Sequence, residues 1–351
     1  MSQFHKLSIK DITKETENAV TISFDLPKEL KDTFQFKAGQ YITLKTELNG
    51  NEIRRDYSLC TSPKSGELKV AVKEVIDGTF SAHANKNLTV GDVLEVAPPK
   101  GRFIFEPNDS KTKNIGLFAA GSGITPILSI IKCALEEEVL SKIILVYGNK
   151  KTEDTMFLNE LLQLQHEYKD RFGIQFVFSQ ADEDDAIFGR IEKSTVNYVM
   201  KNKYKHIDVD AYYLCGPEGV IHTVKDVLTS HGTNEDRIHF ELFKAAKPAV
   251  VTEGAVASGK SQISVLVDDE TFTFEMSQKQ TILEAALDED IDAPYSCQGG
   301  ICSSCIAKVT EGEAIMRQNN ILTDGELADG LILTCQAQPT TPTIKVDYDD
   351  V

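Results

Sequence analysis

The sequence predicts a multidomain chain of three fold classes: an antiparallel β-barrel over residues 1–108, an α/β domain with a parallel sheet over 109–245, and a small α+β domain over 261–351, preceded by a linker at 246–260. Three observations predict this. Short β-branched and aromatic runs fill the first hundred residues, apolar strands alternate with helical patterns from Asn114, and a small-residue stretch then precedes a cysteine-bearing acidic end. A chain of 351 residues is too long for one ordinary core and suits two or three.

In the first segment "AVTISFDL", "YITLKT", "GELKVAVKEV" and "DVLEVAPP" read as strands separated by turn-rich pieces such as "KSGE", the spacing of a small antiparallel barrel. In the second, "NIGLFAAG", "KIILVYGN", "FGIQFVFS" and "AYYLCGP" read as strands. They alternate with the helical "TPILSIIKCALEEE", "MFLNELLQLQHEY", "STVNYVMKN" and "VIHTVKDVLTSHG", and "RIHFELF" is the closing strand. That alternation is the signature of a parallel sheet covered on both faces. "AAKPAVVTEGAVASGK" cannot bury much and reads as the linker. Beyond it "QISVLVDD" and "TFTFEM" suggest a hairpin, and "TILEAALDED" a helix.

Composition excludes several functions. A net charge of −17 gives no basic patch for nucleic acid. No apolar run is long enough to span a bilayer and the first ten residues do not resemble a signal peptide, so a cytoplasmic protein that keeps its seven cysteines reduced is expected. Residues 261–351 hold seventeen Asp and Glu against four Lys and Arg, a net −13. This segment is either a solvated acidic surface or a docking face for a basic partner.

Four of the cysteines form a pattern. Cys297, Cys302 and Cys305 stand at C-x4-C-x2-C spacing inside "YSCQGGICSSC", with Cys335 downstream, which is the ligand spacing of a plant-type 2Fe-2S cluster. The glycines permit a loop that wraps closely and aims N–H groups at anionic sulfur. A zinc site or inert buried thiols are the alternatives, but zinc usually takes two short C-x2-C hooks and core cysteines do not gather in a Gly/Ser loop. Such a cluster passes one electron at a time and needs a donor.

Three motifs offer one, each equivocal alone. In "RRDYSLC", Arg55 suits a diphosphate, Tyr57 a flavin or ribose face, and Ser58 the flavin N5 region, although an ordinary edge strand has the same pattern. In "AAGSGITPIL", Gly121 and Gly123 follow a strand, Thr125 suits the N-cap and Pro126 the first helical position, together a cradle for pyrophosphate. This is G-x-G-x-x-P rather than G-x-G-x-x-G, and "VYGNKK" lacks the usual ribose-binding acid. In "YYLCGPEGVI", Cys215 ends a strand before Gly216 and Pro217, where open α/β sheets bind ligands and where a core cysteine is also at home. Cys60 and Cys133 read as core residues.

Arg-x-Tyr-Ser, "DGTFS", the glycine turn and Cys-Gly-Pro, in this order, resemble the ferredoxin–NADP reductase superfamily. With a C-terminal plant-type ferredoxin domain of β-grasp fold, the chain resembles the reductase subunits of multicomponent bacterial oxygenases, most closely the phenylacetyl-CoA oxygenase (epoxidase) branch. The resemblance implies FAD held by Arg55, Tyr57, Ser58, Val72, Lys73, Gly78 and Ser81. It implies NADPH or NADH held by Gly121, Gly123, Thr125, Pro126, Gly216 and Pro217, and a 2Fe-2S cluster on Cys297, Cys302, Cys305 and Cys335. Cys215 is implied beside the nicotinamide, and Glu241 and Phe243 of "FELF" near the flavin ring. Ser58, Cys215 and Glu241 are thus the candidate catalytic residues.

The implied partner is an oxygenase or another electron-acceptor protein, such as a steroid or ring hydroxylase or a hybrid-cluster protein. A non-catalytic redox sensor is the alternative of a different class. Family grounds favour NADPH. However, Ser179 and Gln180 are followed by the acids of Asp182 to Asp185, which disfavour a 2′-phosphate unless Lys150, Lys151 or Arg190 offsets them, so both nucleotides stay open.

Overall fold

The computed structural model describes residues 4–107, 113–243 and 259–351. They belong to two compact units, Phe4–Phe243 and the unit that ends at Val351. The domain junctions expected near 108 and 245, and residues 246–258 of the expected linker, lie outside the described residues.

The first half of Phe4–Phe243 holds β1 (His5–Thr16), β2 (Ala19–Phe24), β3 (Tyr41–Leu48), β4 (Asn51–Ser58), β5 (Lys69–Lys73), helix α1 (Thr79–Lys86) and β6 (Val93–Val96). The strands form an antiparallel sheet in the order β4-β3-β6-β1-β2-β5, and a bridge between Leu59 and Val70 joins its two ends into a barrel. Strand alternation sorts the side chains. Val20, Ile22, Phe24, Val70 and Val72 enter the barrel core, while the intervening Ala19 and Ala71, with Cys60, join the core shared with the following sheet. Small residues on that outer face let the two layers approach.

The second half contains β7 (Ile115–Ala120), α2 (Ile124–Glu137), β8 (Ile143–Asn149), α3 (Leu158–Glu167), β9 (Phe172–Phe178), the two-residue β10 (Ile187–Phe188), α4 (Lys193–Tyr198), β11 (Ala211–Gly216), α5 (Glu218–Ser230) and β12 (Ile238–Leu242). All pairs are parallel, in the order β10-β9-β8-β7-β11-β12. Strand order reverses between β7 and β11, and ligands bind such sheets outside the carboxyl ends of strands at that reversal.

The remaining unit has β13 (Lys260–Val267), β14 (Glu270–Ser277), α6 (Ile282–Asp288), β15 (Ile306–Glu311), β16 (Ala314–Met316), α7 (Asp324–Ala328), β17 (Leu331–Leu333), β18 (Ala337–Pro339) and β19 (Thr343–Asp347). Its mixed sheet runs β14-β13-β19-β15-β17, with β13 and β19 parallel, and β16 pairs with β18. Helix α6 starts where its sequence says it should: Thr281 Oγ1 accepts from the Glu284 N–H, and the Glu284 carboxylate accepts from the Thr281 N–H.

Two expectations need adjustment. Strand β13 begins at Lys260, inside the predicted linker, because Lys260 already pairs with Ser277 in the hairpin and ion-pairs with Glu275. The barrel segment also contains a helix, α1, that its sequence did not announce. No helix among the described residues is long and apolar enough to cross a membrane.

Candidate functional site

The end of β4 presents its residues alternately. Arg54 is buried beside Glu52, with Nε 2.8 Å from the carboxylate, whereas Arg55 is exposed and donates from Nη1 to the Arg54 carbonyl. The Tyr57 ring packs on Phe80 of α1, with ring centres 5.5 Å apart, and burial pushes its hydroxyl pKa up. Ser58 is buried, and its Oγ donates to Glu241 Oε2 on β12 at 3.4 Å. Glu241 is in turn the register partner of Cys215 on β11. Three residues far apart in sequence, Ser58, Cys215 and Glu241, therefore meet where the barrel faces the strand reversal.

The meeting point is electrically quiet. Burial, then the nearby Asp56 charge, push the Glu241 carboxyl up to about 8 against the opposing effect of the Ser58 hydrogen bond. Burial, then Glu241, hold the Cys215 thiol well above its ordinary value. Both shifts favour the uncharged form. Phe243 follows β12 and packs, partly buried, against the core of the parallel sheet.

The glycine turn closes the other side of the reversal. Gly121 to Gly123 wind as a 3-10 turn, and α2 begins at Ile124 with Gly123 as its N-cap, so Thr125 and Pro126 are its second and third residues rather than its cap and first. Thr125 Oγ1 donates back to the Ser122 carbonyl at 3.1 Å, and both Thr125 and Pro126 are buried, which leaves the backbone of Gly121 and Ser122 as the open surface. The cause is tertiary. A Cβ on Gly123 would lie 2.1 Å from the Cys215 carbonyl oxygen, so the turn is pressed against β11 and winds early. A Cβ on Gly216 would lie 3.0 Å from the Ala120 Cβ, a looser approach, and Pro217 caps α5.

Of the remaining flavin-side candidates, Val72 is buried and its carbonyl accepts from Asn85 Nδ2 at 3.1 Å. Lys73 Nζ donates to the Asp154 carbonyl at 3.4 Å, and burial lowers its pKa. Gly78 and Ser81 shape one turn: Ser81 Oγ accepts from the Val75 N–H, and a Cβ on Gly78 would sit 2.3 Å from that oxygen. Ser179 and Gln180 continue beside β8, donating N–H to the Asn149 and Lys150 carbonyls, while the acids from Asp182 to Asp185 and both Lys150 and Arg190 are exposed.

Sequence reasoning missed the clamp between the lobes. Ser129 Oγ donates to the Thr61 carbonyl at 2.7 Å, Lys132 Nζ to the Cys60 carbonyl at 3.0 Å, and Glu136 accepts from Ser62 Oγ. The signal was present, since these polar residues share one face of an otherwise apolar helix. Cys60 and Cys133 are buried, as expected.

In the C-terminal unit the four cysteines converge as two pairs. The Cys302 thiol hydrogen-bonds to Cys297, and this contact, with the N–H groups of Gly299, Ile301 and Cys302, pulls the Cys297 thiol below its ordinary value against burial. Cys305 and the Gly300 N–H do the same in direction for Cys335. Gln298 and Gly300 both take left-handed φ, +50° and +69°, and this turns the loop's N–H groups toward sulfur. The described residues gather no three metal-ligating side chains about a single-ion centre. Two thiol pairs in a nest of N–H donors fit a two-iron, four-thiolate cluster. Cys305 and Cys335 are buried and Cys297 and Cys302 partly exposed, so the latter pair faces outward.

Comparison with known proteins agrees along the whole chain. Residues 6–105 match the oxidoreductase FAD-binding domain, 117–226 the oxidoreductase NAD-binding domain and 265–340 the 2Fe-2S iron-sulfur cluster binding domain. The chain is 35% identical to a component of the 1,2-phenylacetyl-CoA epoxidase of Escherichia coli (strain K12), over 99% of each chain. It is 32% identical to the ferredoxin reductase component of 3-ketosteroid-9-alpha-monooxygenase of Rhodococcus rhodochrous, over 97% of this chain and 96% of that one. The solved structure of phthalate dioxygenase reductase superposes with a TM-score of 0.62 at 26% identity, covering 98% of both chains. The protein is an oxidoreductase whose cofactors are FAD, a nicotinamide nucleotide and a 2Fe-2S cluster. The chain belongs to the ferredoxin–NADP reductase superfamily, among the members that carry a C-terminal plant-type 2Fe-2S ferredoxin domain.

Proposed function

We propose that this chain is the reductase of a phenylacetyl-CoA epoxidase system, a cytoplasmic protein that draws electrons from NAD(P)H and delivers them to an oxygenase. Its domains are taken as 1–108, 109–245 and 261–351. The observation that carries the reading is the convergence of Ser58, Glu241 and Cys215 at the strand reversal, beside a glycine turn. FAD supplies hydride acceptance from NAD(P)H, and the 2Fe-2S cluster supplies one-electron transfer.

The chain's own residues bind, orient and hold protons around that chemistry. Arg55, exposed on β4, takes the flavin diphosphate together with Gly78 and Ser81; Tyr57 and Ser58 follow Arg55 toward the ring, and Val72 and Lys73 line the adenylate side. Gly121 and Ser122 offer backbone to the nicotinamide pyrophosphate, with Gly123, Thr125 and Pro126 holding the turn in shape and Gly216 and Pro217 the facing loop. Cys215 and Glu241, whose surroundings favour their uncharged forms, limit net charge at the ring edge, and Ser58 donates its hydroxyl to Glu241 there. Cys297, Cys302, Cys305 and Cys335 are the cluster ligands. The −13 charge of the last ninety-one residues suits docking to a basic acceptor surface.

The test is content and transfer. Purified protein should hold one FAD and about two irons per chain, oxidise NADPH and NADH at rates that reveal its preference, and reduce a phenylacetyl-CoA epoxidase oxygenase. Reduction should be at least about tenfold faster than that of a 3-ketosteroid oxygenase, a difference of about 1.4 kcal/mol. Faster delivery to the steroid oxygenase would reassign the acceptor, and no nucleotide oxidation would make the chain a sensor.

The Glu241 carboxyl yields a second prediction. Its folded pKa, about 8, lies above the ordinary 4.5, so between those values the folded protein binds more protons than the unfolded chain, and this group's contribution to stability falls as pH rises. Glu241→Gln removes that slope. Melting temperatures of the two proteins should therefore diverge between about pH 5 and pH 8 in favour of the glutamine variant and run parallel above that, whereas parallel curves throughout would show that the carboxyl ionises normally.

A further inference from the structure

We propose that Tyr147 and Glu15 are positioning residues for the nicotinamide nucleotide, acting through one peptide group to fix the Gly121 turn from the barrel side. Tyr147 is fully buried near the end of β8, and its one hydroxyl proton is shared between two carbonyls, that of Gly121 at 3.1 Å and, more weakly, that of Met156 at 3.4 Å. The Met156 carbonyl belongs to the same peptide unit as the Phe157 N–H. That N–H donates at 3.4 Å to Glu15 Oε2, on strand β1 of the barrel. Two residues with left-handed φ stand at the ends of this chain of contacts, Gly121 at +55° and Phe157 at +58°.

A left-handed phenylalanine is strained and persists where its surroundings hold it. Here the hold comes from both sides of one peptide, since Tyr147 fixes the carbonyl and Glu15 fixes the N–H. The same hydroxyl anchors the carbonyl of Gly121, whose neighbouring backbone is the open surface of the turn. Burial, and then the Glu160 charge, raise the Glu15 carboxyl above its ordinary value, opposed by the Phe157 N–H bond and by Lys69 and Lys132, the last of which ion-pairs with Glu160 at 2.7 Å and donates to the Cys60 carbonyl. The barrel that holds the flavin thus also sets the turn that would hold the nucleotide. The effect concerns the pyrophosphate end, remote from the reacting ring, so the loss should be of uniform binding: KM rises while kcat is retained.

This inference rests on the NAD(P)H-oxidising reading, and the experiment separates the two. With the FAD-loaded protein and a dye acceptor, Tyr147→Phe keeps the ring and loses the hydroxyl. It should raise KM for the nicotinamide nucleotide about three- to tenfold, as expected for one lost hydrogen bond, with kcat within about twofold and FAD content unchanged. Glu15→Ala should raise KM about threefold, and Glu15→Gln, which keeps an acceptor oxygen, should restore it. An unchanged KM in Tyr147→Phe alongside a lower melting temperature would reduce the hydroxyl to a core hydrogen bond. Equal KM values in the Ala and Gln variants of Glu15 would overturn the acceptor role. Absence of nucleotide oxidation in the parent protein would take down both readings.

Discussion

Cys302→Ser should strip the iron and abolish electron delivery to a protein acceptor, by about a thousandfold or more, while FAD stays bound and NAD(P)H-to-dye reduction stays within about twofold. The reasoning starts from the loop. Cys302 is the partner whose hydrogen bond most lowers the Cys297 thiol, and its own N–H points at that sulfur, so the residue contributes a ligand and part of the nest. Serine keeps the N–H and loses the soft thiolate that iron–sulfur chemistry requires. The flavin and nucleotide candidates lie in the other compact unit, Phe4–Phe243, with their own cores and sheets, so they do not depend on the cysteine loop to fold. Iron per chain, the visible spectrum and the two rates check the prediction. Two irons retained together with undiminished acceptor reduction would remove Cys302 from the ligand set.

The parallel sheet and the cysteine loop were legible because each has a local signature. Apolar runs such as "IILVYGN" and "AYYLCG" are bounded by glycine and are buried along nearly their whole length, and the cysteine spacing reflects direct ligation. What the sequence concealed was set by contacts distant along the chain. The rule that rewards Thr-Pro at a helix start placed the cap at Thr125, yet packing of Gly123 on Cys215 starts the helix two residues earlier. Strand β1, twelve residues long, escaped notice because a register shift between Ile9 and Asp11 breaks its alternation and leaves only Leu7 and Ile9 buried. Helix α1 is eight residues with a weak apolar face, held by packing on the barrel. The Ser58–Glu241 contact joins positions 183 residues apart, and only resemblance brought Glu241 into view. Tyr147 and Glu15 carried no motif at all, since what distinguishes them is a shared peptide partner.

Gly123→Ala should damage nucleotide use far more than Gly121→Ala, although the two glycines are equivalent in the motif. At Gly121 an added Cβ meets no atom within 4 Å, and the only penalty is the left-handed φ of +55°, worth about 1 kcal/mol, or less than about tenfold in kcat/KM. At Gly123 φ is an ordinary −60°, but the Cβ would lie 2.1 Å from the Cys215 oxygen, 2.5 Å from its carbonyl carbon and 2.8 Å from the Gly216 nitrogen. All three atoms are backbone in a sheet strand, so no side-chain rotation relieves the overlap and either the turn or the end of β11 must move. Movement of the turn misplaces the pyrophosphate surface, and movement of β11 displaces Cys215 from Glu241, so kcat should fall together with the rise in KM. A loss of about a hundredfold or more in kcat/KM, near 3 kcal/mol, is expected with FAD retained. Steady-state kinetics of both variants with a dye acceptor decide the matter, and a Gly123→Ala protein no worse than Gly121→Ala would mean that the close approach of the turn to β11 is not what shapes the nucleotide site.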